Sequence, residues 1–159
     1  VSGLLFEPCL NGDSRLKVNA GLIEGNLVSC TGAQFCGLAL IETKANAESL
    51  GTKLEELGTK LEELVAVDRP IRIHWTGCPN SCGQVQAADI GIMGAPARKE
   101  IDGKKVAVPG CKIFVGGRIG EDAHLSLDPI MQGIPLEEEH LIPALKEILV
   151  NEFGAVEKK

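Results

Sequence analysis

Ile71-Arg72-Ile73-His74-Trp75-Thr76-Gly77-Cys78-Pro79-Asn80-Ser81-Cys82-Gly83 reads as an alternating strand that runs directly into a loop carrying two thiols. Arg69-Pro70 stands just before it and stops any preceding helix, because proline drives the residue ahead of it out of the helical region. Pro79 lacks an N–H and stiffens the loop. A second pair lies upstream in Cys30-Thr31-Gly32-Ala33-Gln34-Phe35-Cys36, after a short apolar strand predicted over Asn26–Val28. From Gln34 the sequence turns helical, with Leu38, Leu40, Ile41 and Ala45 among Glu42, Lys44 and Glu48. Each thiol pair therefore falls where one element gives way to another.

The iron of a cluster takes four thiolates, and two loop pairs meeting at one point supply them. Gly32, Gly77 and Gly83 are expected to let backbone approach sulfide, with free N–H groups at a helix start donating to it. A single Cys pair says little; two, each flanked by glycine, say much more. A four-cysteine zinc clamp also uses two close pairs, but Cys30 and Cys36 are separated by five residues, outside the usual two to four. A pair of disulfides suits a secreted protein and is the weaker alternative. Cys9 and Cys111 lack a glycine-rich loop and read as core thiols. His74 in its apolar strand reads as a satisfied core or loop residue, and His124 and His140 have no partner at metal-ligand spacing. Trp75 and Phe35, one beside each pair, are expected to pack against a cofactor or the core beneath it.

Outward from these motifs, residues 1–29 read as irregular, and the stretch Leu50–Leu64 repeats Gly51-Thr52-Lys53-Leu54-Glu55-Glu56-Leu57 as Gly58–Leu64. Its leucines fit one helix face, but two heptads do not establish a coiled coil, so it is read as an exposed helical insert. Downstream come a strand over Ala87–Met93, a hairpin over Lys99–Val108 turning at Asp102-Gly103, and a buried strand over Cys111–Val115. A last helix opens at Pro135-Leu136-Glu137 and ends near Gly154, with Leu141, Ala144, Leu145, Ile148 and Leu149 on its apolar face. The expected class is α+β (mixed α/β): a mixed sheet with flanking helices. Three parts are expected: a lead-in segment 1–29, a cofactor-binding domain 30–135 with an insert at 50–64, and a C-terminal helix and tail 136–159.

The 159 residues are 44% hydrophobic and 24% charged, the balance of a globular protein. A net charge of −6 argues against nucleic-acid binding, which needs clustered cations, and no apolar run is long enough to cross a membrane. The one basic run, Arg98, Lys99, Lys104 and Lys105, is broken by Glu100 and Asp102; it reads as a solvated hairpin tip, or as a docking patch for a small acidic electron donor. The start at Val1 lacks an initiator Met and a basic leader, so the chain reads as a fragment of a longer polypeptide.

The runs Ser29–Lys44 and His74–Gln86 resemble the siroheme-containing nitrite and sulfite reductases, and within them the ferredoxin-dependent nitrite reductases of plants, algae and cyanobacteria. Ala88-Asp89-Ile90-Gly91, Ile113–Gly120 and Ile148–Val156 continue the likeness over nearly the whole chain. The resemblance implies a 4Fe–4S cluster on Cys30, Cys36, Cys78 and Cys82, with Cys82 bridging to siroheme as its axial ligand. It implies Thr31, Gln34, Thr76 and Asn80 near these cofactors, and Arg118 on a siroheme carboxylate or in a structural ion pair. It also implies six-electron reduction of nitrite to ammonia, reduced ferredoxin as donor, and a missing N-terminal half that supplies substrate-binding cations. The implied compartment is the chloroplast stroma or a cyanobacterial cytoplasm. Cys111 and a long interval between the Cys pairs depart from the family pattern. A sulfite reductase is the nearest alternative; a structural zinc module and a cluster-only electron carrier are the others.

Overall fold

The structure is a computed structural model that describes residues 21–44, 60–101 and 103–158. Cys9, most of the lead-in, most of the repeated insert and Asp102 lie outside the described residues. In chain order the strands are β1 (Leu27–Ser29), β2 (Val65–Ala66), β3 (Ile73–Thr76), β4 (Ile90–Ile101), β5 (Lys104–Val115) and β6 (Met131–Pro135). Helix α1 (Glu138–Phe153) and the short strand β7 (Val156–Glu157) follow. The main sheet has the order β1-β3-β4-β5-β6, while β2 and β7 pair antiparallel beside it. The β1–β3 and β3–β4 pairings are parallel and the remaining two antiparallel, so the sheet is mixed, as the sequence led us to expect.

Alternation in β3 separates two faces. Ile73 is fully buried and Trp75 partly so on the side that receives α1, where Ile90, Ile92, Cys111 and Ile113 also point. Leu141, Leu145, Ile148 and Leu149 of α1 complete this core at the helical spacing anticipated. Each such aliphatic side chain contributes roughly 1.5–3 kcal/mol on burial. Glu138 and Glu139 in the first turn suit the positive end of the helix dipole, and Gly154 closes α1 in the left-handed conformation at φ 64°. Among the described residues, no helix is long and apolar enough to cross a membrane.

Two expectations change. The hairpin expected over Lys99–Val108 forms, with Gly103 left-handed at φ 74° between its arms, but those arms are the full twelve-residue strands β4 and β5. The separate strands expected over Ala87–Met93 and Cys111–Val115 are continuous with those arms, through Gly94, Pro96, Pro109 and Gly110. Because β3 ends opposite Met93, β4 is an edge strand beyond that point, and Pro96 can sit there opposite Pro109. The helix expected from Gln34 does not form over the described part of that segment: residues 33–44 make successive turns and bends, and Ala45 and Glu48 lie outside the described residues. Their N–H groups are taken by other partners. Gln34 donates to Glu42 Oε2 at 2.6 Å, Ala33 to the Ile41 carbonyl at 3.2 Å and Leu40 to the Gly77 carbonyl at 2.8 Å.

Candidate metal centre

Parallel pairing of β1 with β3 sets Ser29 opposite Trp75, so both strands release their chains at the same end of the sheet. Cys30 follows β1 at once, and Gly77-Cys78 follows β3. Backbone bonds lace the two loops together: Cys30 N–H donates to the Trp75 carbonyl at 2.9 Å, and Leu40 N–H to that of Gly77. The Gly77 N–H in turn points at Cys30 Sγ, 3.2 Å away. Thr43 Oγ1 donates to the Cys30 carbonyl at 2.7 Å and lies 3.7 Å from its sulfur.

Burial alone would push the Cys30 thiol up. The Gly77 N–H, the Thr43 hydroxyl, the Gly32 N–H and the Thr76 hydroxyl outweigh it, and the thiol is held below its ordinary range. Such a pocket favours thiolate, the form that ligates iron. Cys30 and Cys36 are half-buried, Cys78 is buried and Cys82 is exposed; all four are free thiols. Among the described residues, no three His, Cys, Asp or Glu side chains converge tightly enough to hold one metal ion. The donor set, two adjacent loops with four free thiols and one N–H already aimed at sulfur, fits a 4Fe–4S cluster.

Glycines make the loops' approach feasible. Gly32 is left-handed at φ 79°, and a Cβ there would sit 2.7 Å from the Thr43 nitrogen; one on Gly77 would sit 2.8 Å from the Ala39 Cβ. What these glycines admit here is the neighbouring chain segment. Beyond Cys78 the loop closes by Ser81 N–H to the Cys78 carbonyl at 3.2 Å and Gln84 N–H to the Ser81 carbonyl at 2.8 Å. Ser81 and Gln84 are left-handed, both at φ 55°, and the Ser81 hydroxyl bonds Gln86 Oε1. Gly83 sits between β3 partners, its carbonyl 2.8 Å from His74 Nδ1 and its N–H 3.5 Å from Thr76 Oγ1.

Thr31, Gln34 and Asn80 are exposed on the thiol loops and Thr76 is buried beneath them. Phe35 is 70% exposed with Leu38 and Leu40 beside it, while Trp75 packs in the core with a buried Nε1 that has no partner among the described residues. Cys111 is fully buried, and burial pushes its thiol to about 12, as a core residue requires. Arg118 lines a polar groove with Arg69, Arg72, Asp89, Glu121 and Asp122; no thiol-loop residue lines that groove. Sequence reasoning missed Glu42 and Thr43. Glu42 accepts N–H groups from Gln34, Thr43 and Lys44, and nothing in residue spacing signals that role.

Asp89 ties the other end of β3. It accepts from the Arg72 N–H at 2.9 Å, Arg72 Nε at 3.1 Å and Arg69 Nη1 at 3.4 Å. Its burial would raise the carboxyl pKa, but the two Arg72 bonds and the charges of Arg72 and Arg69 lower it. A depressed folded pKa contributes stability above the unfolded value of about 3.9, lost as pH falls through the folded one. Asp89→Asn is therefore expected to cost about 1–3 kcal/mol at pH 7. Denaturant titrations at pH 7 and pH 3 should show that difference shrinking in acid.

The chain matches the family described as "Nitrite and sulphite reductase 4Fe-4S domain" over residues 24–151. It is 48% identical over its whole length to the chloroplastic ferredoxin–nitrite reductase of Spinacia oleracea, covering 24% of that protein. It is also 48% identical over 98% of its length to the ferredoxin–nitrite reductase of Leptolyngbya laminosa, covering 27% of it. Among solved structures, Mycobacterium tuberculosis NirA superposes on 82% of the chain with a TM-score of 0.62 and 32% identity, over 23% of the NirA chain. The chain thus spans about a quarter of the length of the curated relatives it matches. It belongs to the nitrite and sulphite reductase 4Fe–4S domain family.

Proposed function

We propose that this chain is the C-terminal part of a ferredoxin-dependent nitrite reductase that carries out the six-electron reduction of nitrite to ammonia. The observation that carries this reading is the lacing of the Cys30–Cys36 and Cys78–Cys82 loops at the ends of β1 and β3. Cys30, Cys36, Cys78 and Cys82 are assigned to the cluster, and the exposed Cys82 to the bridge with the siroheme iron. Bound, the two cofactors supply electrons to the substrate one at a time. The Gly77 N–H and the Thr43 and Thr76 hydroxyls lower the Cys30 thiol below its ordinary range against the opposing effect of burial, which favours the ligating form. Thr31, Gln34 and Asn80 border the cofactors. Arg118 lines the groove at the Asp89 end of β3, away from the thiol loops, and of its two assignments the structural one among Asp89, Glu121 and Asp122 is the better supported. The larger part of the relatives' length, which this chain does not span, is assigned the cations that bind nitrite, so the 159 residues alone are expected to be inactive. The relatives named are plant chloroplastic and cyanobacterial enzymes, and we place this protein in a chloroplast stroma or a cyanobacterial cytoplasm.

Full-length protein assayed for oxidation of reduced ferredoxin tests this directly. Nitrite should support turnover and release ammonia, with sulfite a much poorer substrate. The family description includes sulphite reductases, so the opposite preference would establish that second reading. Activity from the 159-residue chain alone would contradict the two-part site.

Donor docking is assigned to the β4–β5 tip. Lys99 is occupied by Glu139 at 2.7 Å and Glu137 at 3.4 Å, and Glu100 faces Lys105 across the ribbon. Arg98, Lys104 and Lys105 remain exposed. Reversing Arg98 and Lys104 to Glu should weaken ferredoxin binding severalfold at low salt and much less at high salt. Titrations at two ionic strengths check it; equal affinity of wild type and variant at low salt removes the tip from the interface.

A further inference from the structure

We infer that His74 is a positioning residue for Cys82, an inference that rests on the proposed cofactor assignment. His74 is buried in β3, between Ile73 and Trp75, which pack toward α1; its own ring faces the opposite side of the sheet, as does Thr76. Nδ1 lies 2.8 Å from the carbonyl oxygen of Gly83, the residue after Cys82. A carbonyl only accepts, so the ring is held with its proton on Nδ1. Thr76 Oγ1 takes the Gly83 N–H at 3.5 Å, a longer and weaker contact. Alternate residues of one strand thus grip both polar groups of one glycine. The absence of a Cβ lets Gly83 lie against the Trp75 carbonyl closely enough for the grip to form.

The Cys82 loop has reason to need it. Ser81 and Gln84, on either side of Cys82-Gly83, are both at φ 55°, a conformation that costs a non-glycine residue about 1 kcal/mol or more. Bonds within the loop, from Ser81 and Gln84 N–H groups and from the Ser81 hydroxyl to Gln86, close it on itself. Among the described residues, it is the bonds with His74 and Thr76 that tie Gly83 to the sheet. The imidazole therefore sets where the Cys82 thiol stands relative to Cys30 and Cys78, which the sheet fixes through Gly77.

The test uses full-length protein loaded with its cofactors in the absence of air. In His74→Asn the amide nitrogen occupies the place of Nδ1; in His74→Gln it reaches the place of Nε2; His74→Phe keeps the ring without a donor. Gln and Phe variants should lose iron to a chelator about 10–100-fold faster, while Asn stays within about threefold of wild type. The siroheme absorption bands should shift in the first two and stay in place in the third. If Asn fails as badly as Gln, the ring acts only by filling space and the inference falls; if Gln loses iron at the wild-type rate, it falls too. Should Phe not fold, the Asn and Gln pair carries the comparison. Wild-type protein without iron and sulfide overturns the cofactor assignment itself, and this inference with it; a fully loaded wild type with indifferent variants overturns only the role of His74.

Discussion

Cys82→Ser in the full-length protein is expected to abolish nitrite reduction and the siroheme absorption bands while leaving the fold intact. Cys82 is exposed, so the substitution removes no packing and leaves no cavity. Serine holds its proton and is a poor ligand for soft iron, so the thiolate's contribution to both cofactors disappears. Absorption spectra, iron and acid-labile sulfide content, and thermal melting of the variant separate cofactor loss from unfolding. Cys111→Ser is the matched control. It buries a hydroxyl in an apolar strand and should cost about 1–3 kcal/mol of stability without changing iron or sulfide. Retention of wild-type activity by Cys82→Ser would contradict the ligand assignment.

Gly83→Ala carries the second large effect, through sterics. A Cβ on Gly83 would overlap the Trp75 carbonyl oxygen and sit 3.0 Å from its carbonyl carbon, both backbone atoms of β3. No rotamer change can relieve a clash with backbone, so the loop or the strand must shift. The expected cost is about 1–3 kcal/mol, together with partial loss of iron, because the same residue accepts from His74 Nδ1 and donates its N–H to Thr76 Oγ1. Gly103→Ala is the comparison: nothing lies near its Cβ, and only its left-handed backbone is strained, for roughly 1 kcal/mol. Unfolding in denaturant and iron analysis of the two variants check this. Equal effects of the two on iron content would remove the steric argument.

Much of the fold was legible because its signals are local. Alternation over Ile71–Trp75, the glycine between the hairpin arms and the leucine spacing of α1 each depend on residues close in sequence, and β3, the β4–β5 hairpin and α1 each formed near the expected place. The segment after Cys36 was misread because its leucines sit at helical spacing, yet its N–H groups are claimed by Glu42, Ile41 and Gly77. Those are tertiary bonds, and they leave Phe35 and Leu38 exposed. Strands β4 and β5 run longer than the separate strands and hairpin expected. Pro96 and Pro109 are tolerated within them because each lies beyond the pairing with its outer neighbour, β3 for Pro96 and β6 for Pro109, and that is set by tertiary pairing. For the site, the two Cys pairs and their glycines could be read directly. Thr43, Glu42 and the bond from His74 to Gly83 could not, since each joins residues whose separation follows no period.

Iron, acid-labile sulfide and an ultraviolet–visible spectrum of full-length protein purified without air test the central claim most directly. The account predicts iron and sulfide together with siroheme bands, all lost when Cys30, Cys36, Cys78 or Cys82 is replaced. A colourless protein holding zinc and no sulfide would contradict it and make the four cysteines a structural clamp.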